Sequence, residues 1–153
     1  MRSYQVTEWG QPLSLCERET PEPQGSEVLL RVTACGVCHS DVHIREGHID
    51  LGGGEKLEFG KRGAALPLTL GHEAVGEVVA LGPAAGGASV GDKRIVFPWI
   101  GCGECEFCRG GNGFLCGTPK FIGARVDGGY SDHVLVPHGR FLIPYGDVPT
   151  ALA

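Results

Sequence analysis

The chain has 153 residues, 42% of them hydrophobic, which suits one ordinary domain with its own core and excludes wholesale disorder. Its formal charge is -5 with acidic and basic residues interspersed, which argues against a nucleic-acid footprint of clustered Lys and Arg. No apolar run approaches the ~20 residues of a membrane span, and the start MRSYQVTEWG lacks the apolar stretch of a secretory signal.

With 26 glycines and 10 prolines, the sequence predicts many turns and short strands. In chain order, SYQVTEW, LSLCERET, EVLLRVTAC, AVGEVVALG, KRIVFPW, DHVLVP and RFLIP read as strands bounded by Gly, Pro and Asp. EWGQPLS predicts the first hairpin turn. One short helix is predicted over SDVHIREG, residues 40–47, with Ser40 or Asp41 as its cap. A further helical turn is predicted within ECEFC. The pattern is mainly β with short helices, a barrel or sandwich. Residues 46–67, EGHIDLGGGEKLEFGKRGAALP, show no clear period and predict a long loop, either functional or a tolerated surface insertion.

The expected compartment is the cytoplasm, where seven cysteines read better as metal ligands than as disulfides. Cys102, Cys105, Cys108 and Cys116 stand in GCGECEFCRGGNGFLC with spacing C-x2-C-x2-C-x7-C. Four thiolates close a tetrahedron around zinc and leave no open position, so a structural zinc loop is predicted at 101–117. An iron–sulfur cluster is the rival reading. A bacterial ferredoxin run would continue x3-C-P, which this loop does not.

A second set lies in GVCHSDVH and LGHEAVGEVVALG. Cys38, His72 and the adjacent carboxylate of Glu73 make an incomplete ligand set for zinc. Incompleteness is what a catalytic centre needs, because one position must stay open for water or substrate.

GHEAVGEVVALGPAA matches the pattern G-H-E-x2-G-x5-G-x2 of zinc-containing alcohol dehydrogenases. ACGVCHSD, VGDKRIVFPW, the four-cysteine loop and DGGYSDHVLVP occur in that family's order. The chain therefore resembles the N-terminal catalytic domain of a zinc-dependent alcohol dehydrogenase of the medium-chain dehydrogenase/reductase family, over about residues 4–150. The resemblance implies a GroES-like, partly open β-barrel over 1–153, incomplete as a catalytic domain, in a longer two-domain protein. The missing part would be a Rossmann α/β domain, since no G-x-G-x-x-G follows a strand here.

The resemblance also implies roles. Cys38 and His72 would be ligands of a catalytic zinc, with a third, usually Cys, beyond Ala153. Glu73 resembles the carboxylate that can approach the zinc during exchange. Asp41 resembles the acid that orients His72. Ser40 resembles the hydroxyl that takes the alcohol proton, His43 the end of the relay to solvent, and His39 the residue facing the cofactor pyrophosphate. The implied activity is reversible oxidation of an alcohol to an aldehyde or ketone, with hydride transfer to NAD or NADP. A homodimer or homotetramer is expected at full length, with neither nucleic-acid nor membrane partners. Trp99 lies near a position where the family places a bulky pocket residue. Cys16 and Cys35 read as small buried hydrophobes. The distance from Cys38 to His72 exceeds the family's by about a dozen residues, all in the Gly-rich segment. Two other classes are a stand-alone zinc-binding GroES-like module without chemistry and a structural, oligomer-forming GroES-like domain. Neither accounts for Ser40, His43 and Glu73 occurring together.

Overall fold

The computed structural model describes residues 1–153, and no helix in it is long and apolar enough to cross a membrane. Its hub is β3, Val28–Cys35, whose VLLRVTAC run favours extended backbone. β3 pairs antiparallel with β7, Ala74–Leu81, on one side and with β9, His133–Val136, on the other. Beyond β7 come β8, Lys93–Val96, and β10, Leu142–Pro144, completing a five-stranded sheet ordered β10-β8-β7-β3-β9. One core, including Val28, Leu30, Val78, Val96, Val136 and Leu142, covers this sheet.

A three-stranded sheet, ordered β2-β1-β6, holds the other end of the barrel. It comprises β1, Arg2–Val6, β2, Ser14–Glu17, and β6, Leu68–Thr69, so EWGQPLS does join two antiparallel strands. A bridge between Ser3 and Ser131 ties it to the segment leading into β9. A second apolar cluster, Val6, Ile44, Leu68 and Leu70, packs α1 (His39–Glu46) onto this sheet.

Three local expectations need correction. Residues 46–67 are not an unstructured loop. They carry an antiparallel hairpin, β4 (His48–Gly52) and β5 (Glu55–Glu58), followed by a 3-10 turn at Gly60–Arg62. Most of its side chains are exposed, so no core face imposed an alternating pattern on the sequence. The cap of α1 is neither Ser40 nor Asp41 but Cys38, with Ser40 and Asp41 inside the first turn. Asp41, at the third helical position, reaches back to accept the Cys38 amide at 2.9 Å. The helical turn in ECEFC forms as α2, Glu106–Arg109. Cys16 and Cys35 are half-buried rather than buried.

Candidate metal centres and active site

Pairing of β3 with β7 sets Cys35 opposite Ala74, which brings Cys38 and His72 to the same end of the two strands. The Gly36 amide donates to the Glu73 carbonyl at 3.0 Å and locks these two segments together. The Gly36 backbone lies close to the Glu73 side chain: a Cβ there would come within 2.1 Å of Glu73 Oε2, so Glu73 would have to move. The outcome is a trio in which Cys38 Sγ, a His72 ring nitrogen and a Glu73 carboxylate oxygen all lie within 4.8 Å of one another. Glu73 is exposed, while Cys38 and His72 are half-buried. Three soft and hard donors on one open rim suit a zinc ion that keeps further coordination space.

Behind the trio, Asp41 is 4% exposed and draws four donors. Its Oδ1 faces His72 Nδ1 at 3.3 Å and accepts the Gly71 amide at 3.2 Å. Its Oδ2 accepts the Cys38 amide at 2.9 Å and the Tyr130 hydroxyl at 2.9 Å. Burial opposes the charge on Asp41, but hydrogen bonds from His72, the Cys38 amide and Tyr130 outweigh it and hold the carboxyl below its usual range. The same contact, set against burial and reinforced by Cys38, pushes His72 up to about 9. With Nδ1–H given to Asp41, Nε2 of His72 is the nitrogen left for a metal, which would displace the proton that Nε2 carries in the charged ring. The Cys38 thiol is lowered chiefly by hydrogen bonding to Ser40, then by His72, which favours the thiolate a metal needs.

Ser40 Oγ lies 3.4 Å from Cys38 Sγ and is exposed. Since Cys38 is the cap, Ser40 has no capping duty. His43 follows one turn after Ser40 on the same helical face. The rings of His39 and His43 stack at 4.4 Å between centroids, tilted by 34°. Ser40, His39 and His43 all stand on α1, with Ser40 against Cys38 Sγ and the two histidines against each other. Trp99 is half exposed and edge-on to Phe121 at 4.7 Å, lining a cleft of about 260 Å³ with Phe97, Cys108 and Phe114.

The four cysteines of 102–116 form a separate cluster with every Sγ within 4.8 Å of the others. Cys102 and Cys108 Sγ are 3.9 Å apart, as are Cys105 and Cys116 Sγ, far too long for disulfides. A tetrahedron with Zn–S bonds of about 2.3 Å has edges of about 3.8 Å, so the spacing suits one ion at the centre. Backbone amides point at the sulfurs: Cys105 N–H to Cys102 at 3.4 Å, Cys102 N–H to Cys116 at 3.3 Å and Thr118 N–H to Cys116 at 3.4 Å. The amides of Glu104 and Cys105 lower Cys102 to about 6. Cys108 is pushed up to about 11: the lowering contact with Gly103 is outweighed by burial and by the three neighbouring sulfurs. Four thiolates cannot share this space without a cation to offset their charge.

The trio, Asp41, Ser40 and the four cysteines are all legible in the sequence, and the fold gathers them into two groups. Tyr130 and Gly36 are not: Tyr130 stands within DGGYSDHVLVP, and nothing in the sequence says that its hydroxyl meets Asp41.

The alcohol dehydrogenase GroES-like domain profile matches residues 24–147. The chain belongs to that family. Among the relatives of this GroES-like domain, an NAD-dependent alcohol dehydrogenase of Saccharolobus solfataricus is 43% identical over 142 residues, covering 93% of the chain and 40% of the relative. Among solved structures, the alcohol dehydrogenase of Aeropyrum pernix superposes with a TM-score of 0.82 at 27% identity, covering 99% of this chain and 42% of that one. A cobalt- and zinc-bound thermostable alcohol dehydrogenase of Pyrobaculum aerophilum gives 0.76 at 30% identity, covering 95% and 41%. The GroES-like, mainly β fold implied by the sequence is thereby borne out. The domain spans about two fifths of the length of the curated relatives it matches.

Proposed function

We propose that this chain is the zinc-bearing catalytic domain of an NAD(P)-linked alcohol dehydrogenase. The enzyme would interconvert an alcohol and an aldehyde or ketone, in the cytoplasm and as a homodimer or homotetramer. The observation that carries the reading is the convergence of Cys38, His72 and Glu73 with Asp41 behind the histidine. The alcohol dehydrogenase names of the relatives point the same way.

Zinc, when bound, supplies Lewis-acid polarisation of the substrate oxygen, and the nicotinamide supplies the hydride acceptor. The rest falls to this chain's side chains. Cys38 and His72 would hold the ion. Glu73, exposed and within 4.8 Å of both donors, would supply a further carboxylate oxygen to it. Asp41, 3.3 Å from His72 Nδ1, would keep the ring in the Nδ1–H tautomer and leave Nε2 as the nitrogen offered to a metal. Ser40 would relay the alcohol proton, taking it while releasing its own hydroxyl proton, and His43, one turn on, would hand that proton to solvent. His39 would meet the cofactor pyrophosphate. The nicotinamide would be bound by residues outside 1–153, as the greater length of the relatives suggests. The four-cysteine loop, closed on itself, holds a structural zinc.

A nicotinamide absorbance assay of the full-length protein against a panel of primary and secondary alcohols tests this. Zinc-dependent reduction of NAD or NADP, abolished by Cys38→Ser with the four-cysteine centre still loaded, is the expected result. No turnover with any alcohol by fully zinc-loaded protein would count against it.

A further inference from the structure

Tyr130 belongs neither to the trio nor to the path from Ser40 to His43. We propose that it is a positioning residue for the Cys38–His72 centre: its hydroxyl fixes the Asp41 carboxylate and, through it, the His72 ring. The inference rests on the metal-centre reading and deepens it.

The four donors to Asp41 come from three separate stretches of chain. Cys38 N–H opens α1, Gly71 N–H and His72 belong to the turn before β7, and Tyr130 lies just before β9. One oxygen, Oδ2, is shared by Cys38 N–H and the Tyr130 hydroxyl. Take away the hydroxyl, and Oδ2 keeps a single donor while Oδ1 keeps two. The carboxylate is then freer to turn about its Cβ–Cγ bond, and the contact at His72 Nδ1 loosens. At 4% exposure, Asp41 has little water at hand as a substitute donor.

The hydroxyl is itself firmly placed. The Tyr130 amide donates to Leu70 O at 3.0 Å, and its carbonyl accepts the Tyr4 amide at 2.8 Å. Its ring lies flush on Gly71, where a Cβ would come within 2.5 Å of Tyr130 Cδ1; Gly71 also has a φ of +91°. A second acceptor, Gly36 O, stands at 3.3 Å, but the single proton goes to the closer, charged Asp41. Burial, and then Asp41, push ionisation of the phenol up from its ordinary value, so it remains a donor at neutral pH.

The test compares Tyr130→Phe, Asp41→Asn and the double variant with the wild-type full-length protein. Zn²⁺ affinity is measured by chelator competition and ligand geometry by Co²⁺ absorption. Tyr130→Phe keeps the ring, so a purely structural residue would leave both readouts unmoved. We expect about tenfold weaker Zn²⁺ binding at the Cys38–His72 centre, the scale of an outer partner of a ligating histidine. We also expect a shifted Co²⁺ spectrum and full loading of the four-cysteine centre. Added to Asp41→Asn, Tyr130→Phe should cause no further loss, because the two act in series. Unchanged affinity and spectrum in Tyr130→Phe, or an additive loss in the double variant, would overturn the proposal. Should Tyr130→Phe not fold, fluorotyrosine at 130 strengthens the same donor within an intact ring, and an unshifted Co²⁺ spectrum then rejects the idea. If Cys38→Ser leaves the metal stoichiometry at its wild-type value, it is the metal-centre reading that fails. The role of Tyr130 is then decided by the ¹⁵N shifts of the His72 ring: a change in Tyr130→Phe supports it, and none overturns it.

Discussion

Asp41 Oδ1 stands 3.3 Å from His72 Nδ1, and the same carboxylate accepts the Cys38 amide. One buried side chain thus touches both segments of the candidate centre. Replacing it with Asn removes the charge and one acceptor oxygen. Asp41→Asn should weaken Zn²⁺ at the Cys38–His72 centre by 10- to 100-fold. It should also destabilise the fold by about 1–3 kcal/mol, because an amide N–H loses its acceptor in a buried site. Zinc titration and urea unfolding measure the two effects; wild-type affinity with lowered stability would confine Asp41 to a structural role.

The four-cysteine loop makes an independent prediction. Cys105→Ser should reduce zinc content by about one per chain and lower the midpoint of thermal unfolding, since the loop then holds thiolates without their counter-ion. Elemental analysis checks the stoichiometry. Unchanged metal content would remove the structural-zinc reading.

Ser40 lies two residues past the cap, so its hydroxyl does little for the helix. Ser40→Ala should change unfolding free energy by less than about 0.5 kcal/mol, as for a surface substitution. In the full-length protein it should reduce turnover by about 10²-fold or more. A variant with normal turnover would leave the proton path without its first member.

Gly36 and Glu73 offer a test by coupling. Gly36→Ala sets a methyl group against the Glu73 side chain, with Oε2 at 2.1 Å and Cβ at 3.0 Å from the new atom. The overpacking should cost about 1–3 kcal/mol. Glu73→Ala clears most of that space, so the double variant should recover much of the loss, a non-additivity seen in denaturant unfolding. Simple additivity would mean that the segments adjust elsewhere.

Legibility in the sequence tracked how local each feature is. The four-cysteine cluster lies within one loop, so spacing alone suggested its ligand set. The strands of the main sheet announced themselves by β-branched runs such as VLLRVTAC, because packing on a core wrote the pattern. The hairpin β4–β5 did not, since its residues face water and its pairing is held by its own backbone. The cap of α1 was misplaced for a related reason. Residue preference favours Ser and Asp at that position, whereas here Asp41 supports the Cys38 amide from within the first turn. Tyr130 was beyond reach because its contact with Asp41 depends on how the segment before β9 lies across α1, which no window of sequence contains.

The two clusters differ in how far the chain must travel to build them. Cys102 to Cys116 closes a short loop, whereas Cys38 and His72 meet after the long excursion through the exposed hairpin and the pairing of β3 with β7. Closing the shorter loop costs less chain entropy and needs no sheet. During refolding in the presence of zinc, the cysteine lobe can therefore load early, at the speed of a local event. The other centre must wait for non-local strand pairing, which is the slower step. Metal uptake followed in time should then be biphasic, with the fast phase surviving Cys38→Ser and the slow phase tracking formation of the five-stranded sheet.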